Sequence, residues 1–412
     1  MAKSAPRLAI LGAGPIGLEA GVYAKTLGWP FTIFERGRIG EHMLRWGHVR
    51  LFSPFGMNAT LLGKQAIAKQ KLGHEFPGDD ACILGREHVA AYLNPLGELL
   101  KENLVGETQV LKISRQDLLK NDEPGDPKRA RNPFRLLVRD KQRERIETAD
   151  IVLDCTGVYA QHRWAGAGGM PAPGELSAET QIAYQLEDIL GERKGHYANR
   201  TILVVGAGFS AATTVCNLAE ISREHQTTWV IWVARTSQTT PLRRFANDPL
   251  KERDRFATRA NSLATRTDDN VEYSPATVVD AIEYLGQDKG FKVTLRSPLK
   301  TRIVEVDRII ANVGYSPDTN LYRELQVREC PASLATQKMS DAVALAKVSD
   351  PLRMSGLGAD ALRNPEPNFY IIGAKSLGRN SNFLLRLGFE QIRDAFALMA
   401  GNPNLDLYAG KK

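Results

Sequence analysis

Small residues recur at two places in the chain with the spacing Gly-x-Gly-x-x-small. The first group runs from Gly12 to Gly17 and the second from Gly206 to Ala211. Glycine at the first two positions allows a sharp turn and a close approach of the backbone to a phosphate, and the small third residue lets a helix pack on the preceding strand. Phosphates then bind at the N-terminus of that helix. The pattern therefore predicts two pyrophosphate sites.

Each group follows a short apolar run and begins a helical one. The apolar runs are Leu8–Leu11 and Ile202–Val205. One glycine-rich turn is weak evidence, but two in the same strand-turn-helix context are much stronger. The residues predicted to contact the two dinucleotides at these turns are Gly12, Gly14, Pro15, Ile16 and Gly17 in the first copy and Gly206, Gly208, Ser210 and Ala211 in the second.

The repeat continues beyond the glycines. Phe134 and Phe291 each begin a β-type segment, and sixteen residues later an Asp begins a buried-strand pattern that ends after seven more residues, at Gly157 or Gly314. Such segments predict an antiparallel β-ribbon that returns to a buried strand. The alternative is a chance match between unrelated strand pairs. The repeat favours two Rossmann-like α/β domains, each with a β-ribbon excursion.

Length and composition agree with two globular domains. The chain has 412 residues, more than one hydrophobic core usually supports, and is 43% apolar and 25% charged. Its net charge of +7 comes from scattered basic residues, which does not favour a nucleic-acid partner. No apolar run is long enough for a membrane span. The four cysteines lack Cys-x-x-Cys and metal-ligand spacing, so we expect reduced thiols, no metal site and a cytoplasmic location.

On these motifs the chain resembles the two-dinucleotide-binding-domain flavoproteins, the superfamily of thioredoxin reductases, glutathione reductases and flavin-containing monooxygenases. The residues that carry the resemblance are the two glycine turns, Ala149–Gly157, Asp307–Asn320 and Phe369–Gly373. It implies an α/β fold in which the second Rossmann-like domain, which binds NAD(P)H, is inserted into the first, which binds FAD. The expected domains are residues 1–165 with 320–412 for FAD, and residues 166–319 for NAD(P)H.

Residues at equivalent strand ends distinguish the two cofactors. Glu35 can accept hydrogen bonds from a ribose that lacks a 2′-phosphate, although it could also be a solvated strand-end carboxylate. Arg235 stands at the matching place in the second copy, with Arg243 and Arg244 nearby, and arginine can bind a 2′-phosphate. NADPH is therefore preferred over NADH, unless these arginines belong to a solvated, mixed-charge loop.

Further cofactor contacts are expected outside the turns. Trp46 ends a glycine-led stretch that resembles the flavin-approaching loop of the monooxygenases, although it could also be an ordinary core residue. Gly388 lies near a helix N-terminus whose N–H groups could point to the flavin. The other expected cofactor-binding residues are Arg36, Val110, Thr156, Gly157, Gly314 and Gly373.

The reaction itself is less determined. Disulfide reductases of the superfamily use a cysteine pair beside the flavin, and its absence here excludes the usual disulfide relay. Ala374 replaces their typical Asp. Lys375 and Arg379 are the predicted catalytic residues, because their charge could stabilise reduced flavin or an acidic substrate, with a surface loop as the alternative. The linker Trp164–Glu175 lacks the histidine of the monooxygenase fingerprint and has the composition of a hinge.

Three functional hypotheses follow. The leading one is an FAD-dependent monooxygenase that uses NADPH and a hydroperoxyflavin to oxidise a small organic substrate, which could be anionic. The alternatives are an NAD(P)H-dependent reductase or dehydrogenase without a disulfide relay, and a nucleotide-sensing flavoprotein with little turnover. A homodimer is compatible with the sequence. Helices are predicted at Tyr322–Leu325 and Met339–Ala346, within a segment that has no recognised motif.

Overall fold

Parallel sheets, antiparallel ribbons and helices alternate along residues 5–266, 270–348 and 350–409, which are the residues that the computed structural model describes. The strands are β1 (Leu8–Leu11), β2 (Phe31–Phe34), β3 (Leu104–Val105), β4 (Gln109–Arg115), β5 (Phe134–Arg139), β6 (Glu144–Ala149), β7 (Ile151–Asp154), β8 (Thr201–Val205), β9 (Trp229–Val233), β10 (Val271–Ser274), β11 (Val278–Gly286), β12 (Gly290–Arg296), β13 (Thr301–Val306), β14 (Arg308–Ala311) and β15 (Phe369–Ile371). The α-helices are α1 (Pro15–Leu27), α2 (Glu41–Arg45), α3 (Phe55–Asn58), α4 (Leu61–Gln70), α5 (Gly85–His88), α6 (Asn94–Leu99), α7 (Glu175–Ala178), α8 (Lys194–Tyr197), α9 (Phe209–Glu224), α10 (Lys251–Thr265), α11 (Gln337–Ala346) and α12 (Leu385–Ala400).

These elements form two compact units. Unit 1 consists of Met1–Gly47, Pro54–Gln161 and Tyr315–Lys412, and unit 2 of His48–Ser53 and His162–Gly314. Both main boundaries lie a few residues before the expected ones, and residues 48–53 group with unit 2 although the sequence analysis assigned them to the first domain. Phe52 supplies the physical reason, because its ring packs 5.2 Å from that of Phe209 and 5.4 Å from that of Phe256.

A parallel sheet forms the centre of unit 1. Its strand order is β15-β7-β1-β2-β3, and every neighbouring pair is parallel. Strands β1 and β7 are buried along their whole length, as expected where both faces of a parallel sheet are covered. Helix α1 begins with Pro15 at its first turn and ends at Gly28, whose φ of 69° is a left-handed conformation that suits glycine. The antiparallel ribbon β4-β5-β6 follows.

Unit 2 repeats this plan. Its parallel strands have the order β10-β9-β8-β14, which matches β3-β2-β1-β7 position by position, and β11-β12-β13 form the matching antiparallel ribbon. One hydrophobic cluster, which includes Val204 and Trp232, packs around α9 and α10. A second, which includes Val205 and Phe291, joins the sheet to the ribbon. The predicted α/β fold with an internal repeat is confirmed.

The C-terminal part of the chain returns to unit 1. Strand β15 pairs with β7, with Phe369 opposite Val152. Helix α11 contains the predicted helical residues 339–346, but the helix predicted at Tyr322–Leu325 is wrong, because Tyr322 ends a short 3-10 turn. Tyr322 and Leu325 pack into the hydrophobic cluster of the ribbon, so the burial of these side chains determines the conformation of that segment. No helix in the described part of the chain is long and apolar enough to cross a membrane.

One buried carboxylate organises the linker that composition describes only as a hinge. Glu175 is 0% exposed and accepts hydrogen bonds from the backbone N–H groups of Ala165 (2.7 Å), Gly166 (3.1 Å) and Ala172 (2.8 Å). The Tyr184 hydroxyl donates a fourth over 2.8 Å. A loop rich in Gly and Pro thus has a single defined path within unit 2.

Replacing this carboxylate should destabilise unit 2. In Glu175→Gln the amide can accept fewer of the four donors, so we expect a loss of about 1–3 kcal/mol in the free energy of unfolding. Chemical denaturation with an unfolding readout from unit 2 measures it. Glu179→Gln, at an exposed glutamate four residues away, is the matched control and should change little. Equal stability of the two variants would contradict this role of Glu175.

Candidate functional site

The first glycine turn joins β1 to α1 and is closed on one side and open on the other. Gly12 has a φ of 98°, and a Cβ built on it would lie 3.1 Å from the carbonyl oxygen of Cys155. A Cβ on Gly17 would lie 1.9 Å from the carbonyl oxygen of Gly12, so helix and strand are in close contact there. A Cβ on Gly14 meets nothing within 4 Å. The backbone at Gly14 is therefore accessible where α1 begins.

The second turn, between β8 and α9, has the same construction. Gly206 has a φ of 139°, and its Cβ would lie 2.4 Å from the carbonyl oxygen of Asn312. A Cβ on Gly208 again meets nothing within 4 Å. The buried Trp232 donates its indole N–H to the Gly206 carbonyl over 2.7 Å. The first turn of each helix leaves backbone N–H groups without intrahelical partners, so both turns can bind an anion.

Glu35 is held next to the first turn. One carboxylate oxygen accepts the N–H of Ala13 over 2.7 Å, and the other accepts the N–H of Gly37 over 2.8 Å. The side chain is 9% exposed, and each oxygen keeps acceptor capacity. It is thus oriented by the backbone at the end of β2, with room to accept a ligand hydroxyl.

No acid occupies the matching place in unit 2. Arg235 follows β9 and is exposed. The next residues border a cavity of about 860 Å³. The residues that line this cavity are Thr236, Gln238, Thr240, Pro241, Leu242, Arg243, Arg244, Thr258 and Asn261. Arg244 pairs with Asp254 over 2.8 and 2.9 Å, whereas in the described part of the chain neither Arg235 nor Arg243 has a carboxylate within ion-pair distance.

Lys375 lies in a fully buried ion pair. Its ammonium donates to Asp154 over 2.6 Å and to the Thr156 hydroxyl over 3.1 Å, and both charged side chains are 0% exposed. The Thr156 hydroxyl in turn donates to Asp154 over 2.6 Å. The charge predicted to act on a flavin or substrate is therefore balanced inside unit 1. This geometry suits a residue that fixes the 3-10 turn Gly373–Leu377 to the end of β7.

Two glycines, Gly373 and Gly388, pack on α1. A Cβ on Gly373 would lie 3.3 Å from Ile16, and one on Gly388 would lie 2.3 Å from the same side chain. Gln391 accepts the Gly373 N–H over 2.7 Å and donates to Ser376 over 2.8 Å. Ile16 is thus a packing residue through its side chain. Arg379 is exposed at the end of this region.

Sequence comparison gives a partial family match. The model of the family described as pyridine nucleotide-disulphide oxidoreductase matches residues 9–120, which include the first turn and Glu35. No curated protein matches the chain by sequence.

Solved structures match nearly the whole chain at low identity. The bacillithiol disulfide reductase Bdr from Bacillus cereus has a TM-score of 0.68 at 15% identity, covering 96% of this chain and 99% of its own. The cadaverine monooxygenase DfoA from Erwinia amylovora has 0.63 at 14%, covering 97% and 95%. Thioredoxin reductase from T. acidophilum has 0.58 at 15%, covering 97% and 99%. The chain has the two-dinucleotide-binding flavoprotein fold. The resemblance drawn from the sequence motifs is confirmed at this level.

Trp46 and Arg36 belong to unit 1. Trp46 directly follows α2, and a Cβ on Gly85 would lie 2.9 Å from its ring. Its indole nitrogen is buried and has no acceptor among the described residues. The Arg36 guanidinium and the His42 ring nitrogen lie 2.8 Å apart. An unpaired, buried N–H is the kind of group that a bound ligand could satisfy.

The remaining predicted residues divide into two kinds. Gly157 (φ 69°) and Gly314 (φ 86°) follow β7 and β14 at equivalent positions, and a Cβ on either meets at most one atom, 4.0 Å away. Val110 instead sits at the bulge of β4 and packs against the ribbon cluster. The two glycines thus leave open space at the strand ends, whereas the Val110 side chain belongs to the core.

Several residues that support the two glycine turns and the neighbouring strand ends were not singled out from the sequence. A turn or a strand end is supported by side-chain hydrogen bonds of Asp154, Trp232, Asn312 and Gln391. Asp154 had a visible signal, because it is a carboxylate at the end of a run that is otherwise apolar. Each of the other three residues makes its hydrogen bond to a residue that is distant in sequence. No local pattern therefore marks these three residues.

Cys155 and Cys216, the cysteines nearest the two glycine turns in the fold, are poorly suited to thiol–disulfide exchange. Cys155 directly follows β7, and burial raises its pKa well above the usual range, so it stays a thiol. Burial likewise raises the pKa of Cys216 to about 11. Hydrogen bonds from Ser333 and Ser340 lower the pKa of Cys330 to about 6, but no second cysteine neighbours it in sequence.

Proposed function

We propose that the protein is an FAD-dependent NAD(P)H oxidoreductase. The observation that carries this proposal is the pair of matching turns, each with one glycine that faces open space at a helix N-terminus. The family match over the first turn and the structural likeness to FAD and NAD(P)H enzymes support it. One such turn would serve a single nucleotide, whereas two suit a hydride donor and the flavin that receives the hydride.

FAD fits unit 1. The turn from Gly12 to Gly17 would hold the pyrophosphate, and Glu35 would accept the ribose hydroxyls of the adenosine. The remainder of the FAD molecule would lie along Gly157, Gly373 and the Trp46 indole N–H. Thr156 and Lys375 would hold the end of β7 in place. FAD, when bound there, would supply two-electron chemistry as a hydride acceptor. The chain's own residues bind it, orient it and exclude water.

NADPH is the donor that unit 2 suits best. The turn from Gly206 to Ala211 would hold its pyrophosphate, and Arg235 and Arg243 would bind the 2′-phosphate at the cavity. Both guanidiniums lack a carboxylate partner in the described part of the chain, so they offer uncompensated charge. Arg244 is already paired with Asp254 and contributes less.

This nucleotide preference predicts a selective defect. Arg243→Ala should raise KM for NADPH about 10- to 100-fold, because a charge-assisted hydrogen bond contributes about 1.5–3 kcal/mol. KM for NADH should be nearly unchanged, since NADH has no 2′-phosphate. Steady-state kinetics with both nucleotides measures it, and Arg223→Ala, an exposed arginine of α9, is the control. Equal effects on both nucleotides would contradict the assignment.

The electrons are proposed to go to O₂ and a small organic substrate. The sequence has no Cys-x-x-Cys pair, and the cysteine next to the first turn is held as a thiol, which argues against the usual disulfide relay. A cadaverine monooxygenase is among the proteins that share the fold. In such a reaction one oxygen atom enters the substrate and the other leaves as water, at the expense of one NADPH. The exposed Arg379 is the residue we assign to an anionic group of the substrate.

The second candidate is a reductase that passes hydride equivalents to an organic acceptor. The observation that favours it is the likeness to Bdr and thioredoxin reductase across nearly the whole chain. Measuring NADPH, O₂, peroxide and product together, on a panel of amines, sulfides and quinones, separates the two. A monooxygenase consumes one O₂ per product without accumulating peroxide. Substrate reduction that continues without O₂ would establish the reductase instead.

A further inference from the structure

A buried carboxyl in the middle of α1 takes no part in the two glycine turns described above. Glu19 is 0% exposed, and its carboxyl is hydrogen-bonded by side-chain hydroxyl groups and by the backbone of Thr60. Tyr92 donates to one carboxyl oxygen, and the Thr60 hydroxyl lies 3.1 and 3.0 Å from the two oxygens. The Tyr408 hydroxyl donates to the second oxygen over 3.4 Å. In the described part of the chain no cationic group lies within ion-pair distance of Glu19.

The neighbouring sequence makes room for this cluster. A Cβ on Gly63 would lie 2.0 Å from the Tyr92 hydroxyl and 2.8 Å from Glu19, so α4 tolerates no side chain at that position. Thr60 caps the same helix by accepting the Gly63 N–H over 2.9 Å. Tyr92 itself lies in a π-helical segment, Val89–Leu93. The contacts of Glu19 are therefore built into the packing of unit 1.

A carboxyl in this setting is favoured in its neutral form. Desolvation raises the pKa of Glu19 to about 7, outweighing the hydroxyl hydrogen bonds that lower it. The titratable or charged groups on the elements packed around it include Tyr23 of α1, His88 of α5, Tyr92, Arg393 and Asp394 of α12, and Asp406 and Tyr408. Helices α4 and α6, which also pack on α1, carry Lys64 and Glu98, and Lys64 is paired with Asp79 over 2.9 Å.

None of these groups balances an ionised Glu19. Burial lowers the pKa of His88 to about 4, so it is neutral near pH 7. The Arg393 guanidinium lies 2.8 Å from Asp394 and 4.0 Å from Asp406. Burial raises the pKa of the three tyrosines, so they stay protonated. Water is the remaining source of solvation for the charge.

The residues that separate Glu19 from water on one side belong to Asn402–Ala409, here called the C-terminal segment. It contacts α12 through the Asn402 N–H, which donates to the Ala397 carbonyl over 3.0 Å, and through the Arg393–Asp406 pair at 4.0 Å. The Leu407 N–H donates to the Tyr23 hydroxyl over 3.0 Å, and the Tyr408 ring lies 5.3 Å from that of Tyr23 and 6.3 Å from that of Phe389. Tyr408 is the part of this segment that covers the carboxyl.

We propose that loss of the Glu19 proton releases the C-terminal segment from α1. With the segment docked, the carboxyl is shielded; when Tyr408 leaves, water can solvate the charge. The Tyr408 hydrogen bond opposes release, but at 3.4 Å it is longer than the hydrogen bonds that Tyr92 and Thr60 make to the same carboxyl. Because the pKa of Glu19 is raised in the docked state, the docking free energy is fully present below the ordinary carboxyl pKa and is lost as pH rises through about 7.

Hydrogen exchange of the full chain tests this proposal. After correction for the intrinsic pH dependence, protection of the amides in 402–409 should fall about tenfold between about pH 6 and about pH 8, which is the change that linkage allows for this carboxyl. In Glu19→Gln, protection of the same amides should not depend on pH. Glu102→Gln, at an exposed glutamate, should keep the wild-type slope.

Amides of α12 between Phe389 and Ala397 serve as the internal reference, because they should stay protected while the C-terminal segment opens. A wild-type profile that is flat over this pH range overturns the proposal, whether or not the Glu19→Gln chain folds. The proposal is equally overturned if Glu19→Gln retains the wild-type slope, or if α12 loses protection together with the C-terminal segment, which would indicate global unfolding.

Discussion

Alanine at Gly14 should weaken FAD binding about 10- to 100-fold while leaving the empty protein as stable as the wild type. The φ of Gly14 is −81°, which any residue adopts, and its Cβ would meet no protein atom within 4 Å. The methyl group therefore costs nothing until a pyrophosphate approaches the start of α1. Overpacking of this kind costs about 1–3 kcal/mol, which sets the expected loss of affinity. Equilibrium dialysis gives the affinity, and thermal melts without cofactor give the stability.

Two further alanine variants make the result specific. Gly208→Ala, at the equivalent open position of α9, should leave FAD affinity unchanged and weaken NADPH binding instead. Gly195→Ala, whose Cβ also meets nothing within 4 Å, lies outside both turns and should alter neither. If Gly14→Ala and Gly195→Ala have the same FAD affinity, the open side of the first turn is not the pyrophosphate site.

Gly17 shows why open and closed positions of one motif must be separated. Its Cβ would lie 1.9 Å from a backbone oxygen of the protein itself, so alanine there disturbs the strand-helix contact with or without cofactor. The spacing predicts a phosphate contact at Gly14 and helix packing at Gly17. The Cβ contacts agree with that division, since the Gly14 position is open and the Gly17 position is closed.

The fold was predictable because its signals are local and repeated. Buried parallel strands require continuous apolar runs, such as Leu8–Leu11, and the turns after them require glycine, so both copies carry the same pattern. The matching order of four strands in each parallel sheet follows from that repeat. The segment at Tyr322 was mispredicted because its apolar residues serve tertiary packing, which a periodic pattern does not distinguish from a helix.

Side-chain roles were less predictable because they depend on distant partners. Lys375 was expected to offer a free charge, yet its partner Asp154 lies 221 positions away in the sequence. Phe52 belongs with unit 2 because of its aromatic contacts, although the chain segments before and after His48–Ser53 belong to unit 1. The role of Glu35 was indicated by its position after β2, but the two N–H groups that orient it are visible only in three dimensions.

Removing the ammonium of Lys375 should cost about 3–5 kcal/mol in the free energy of unfolding, because it leaves the Asp154 carboxylate buried without a counter-charge. The change is Lys375→Met, which keeps the volume and the unbranched chain. Chemical denaturation of the cofactor-free protein measures the loss. Lys338→Met, at an exposed ion pair with Asp360, is the control and should change stability little.

The partner variant distinguishes a positioning role from a direct role at the flavin. Asp154→Asn combined with Lys375→Met removes both charges, so much of the lost stability should return, with FAD binding recovering in parallel. If Lys375 instead acted by its own charge on the flavin, the double variant would regain stability while the flavin reduction potential stayed shifted as in Lys375→Met. If the flavin reduction potential of the double variant returns to the wild-type value, the Lys375–Asp154 pair serves to position the end of β7.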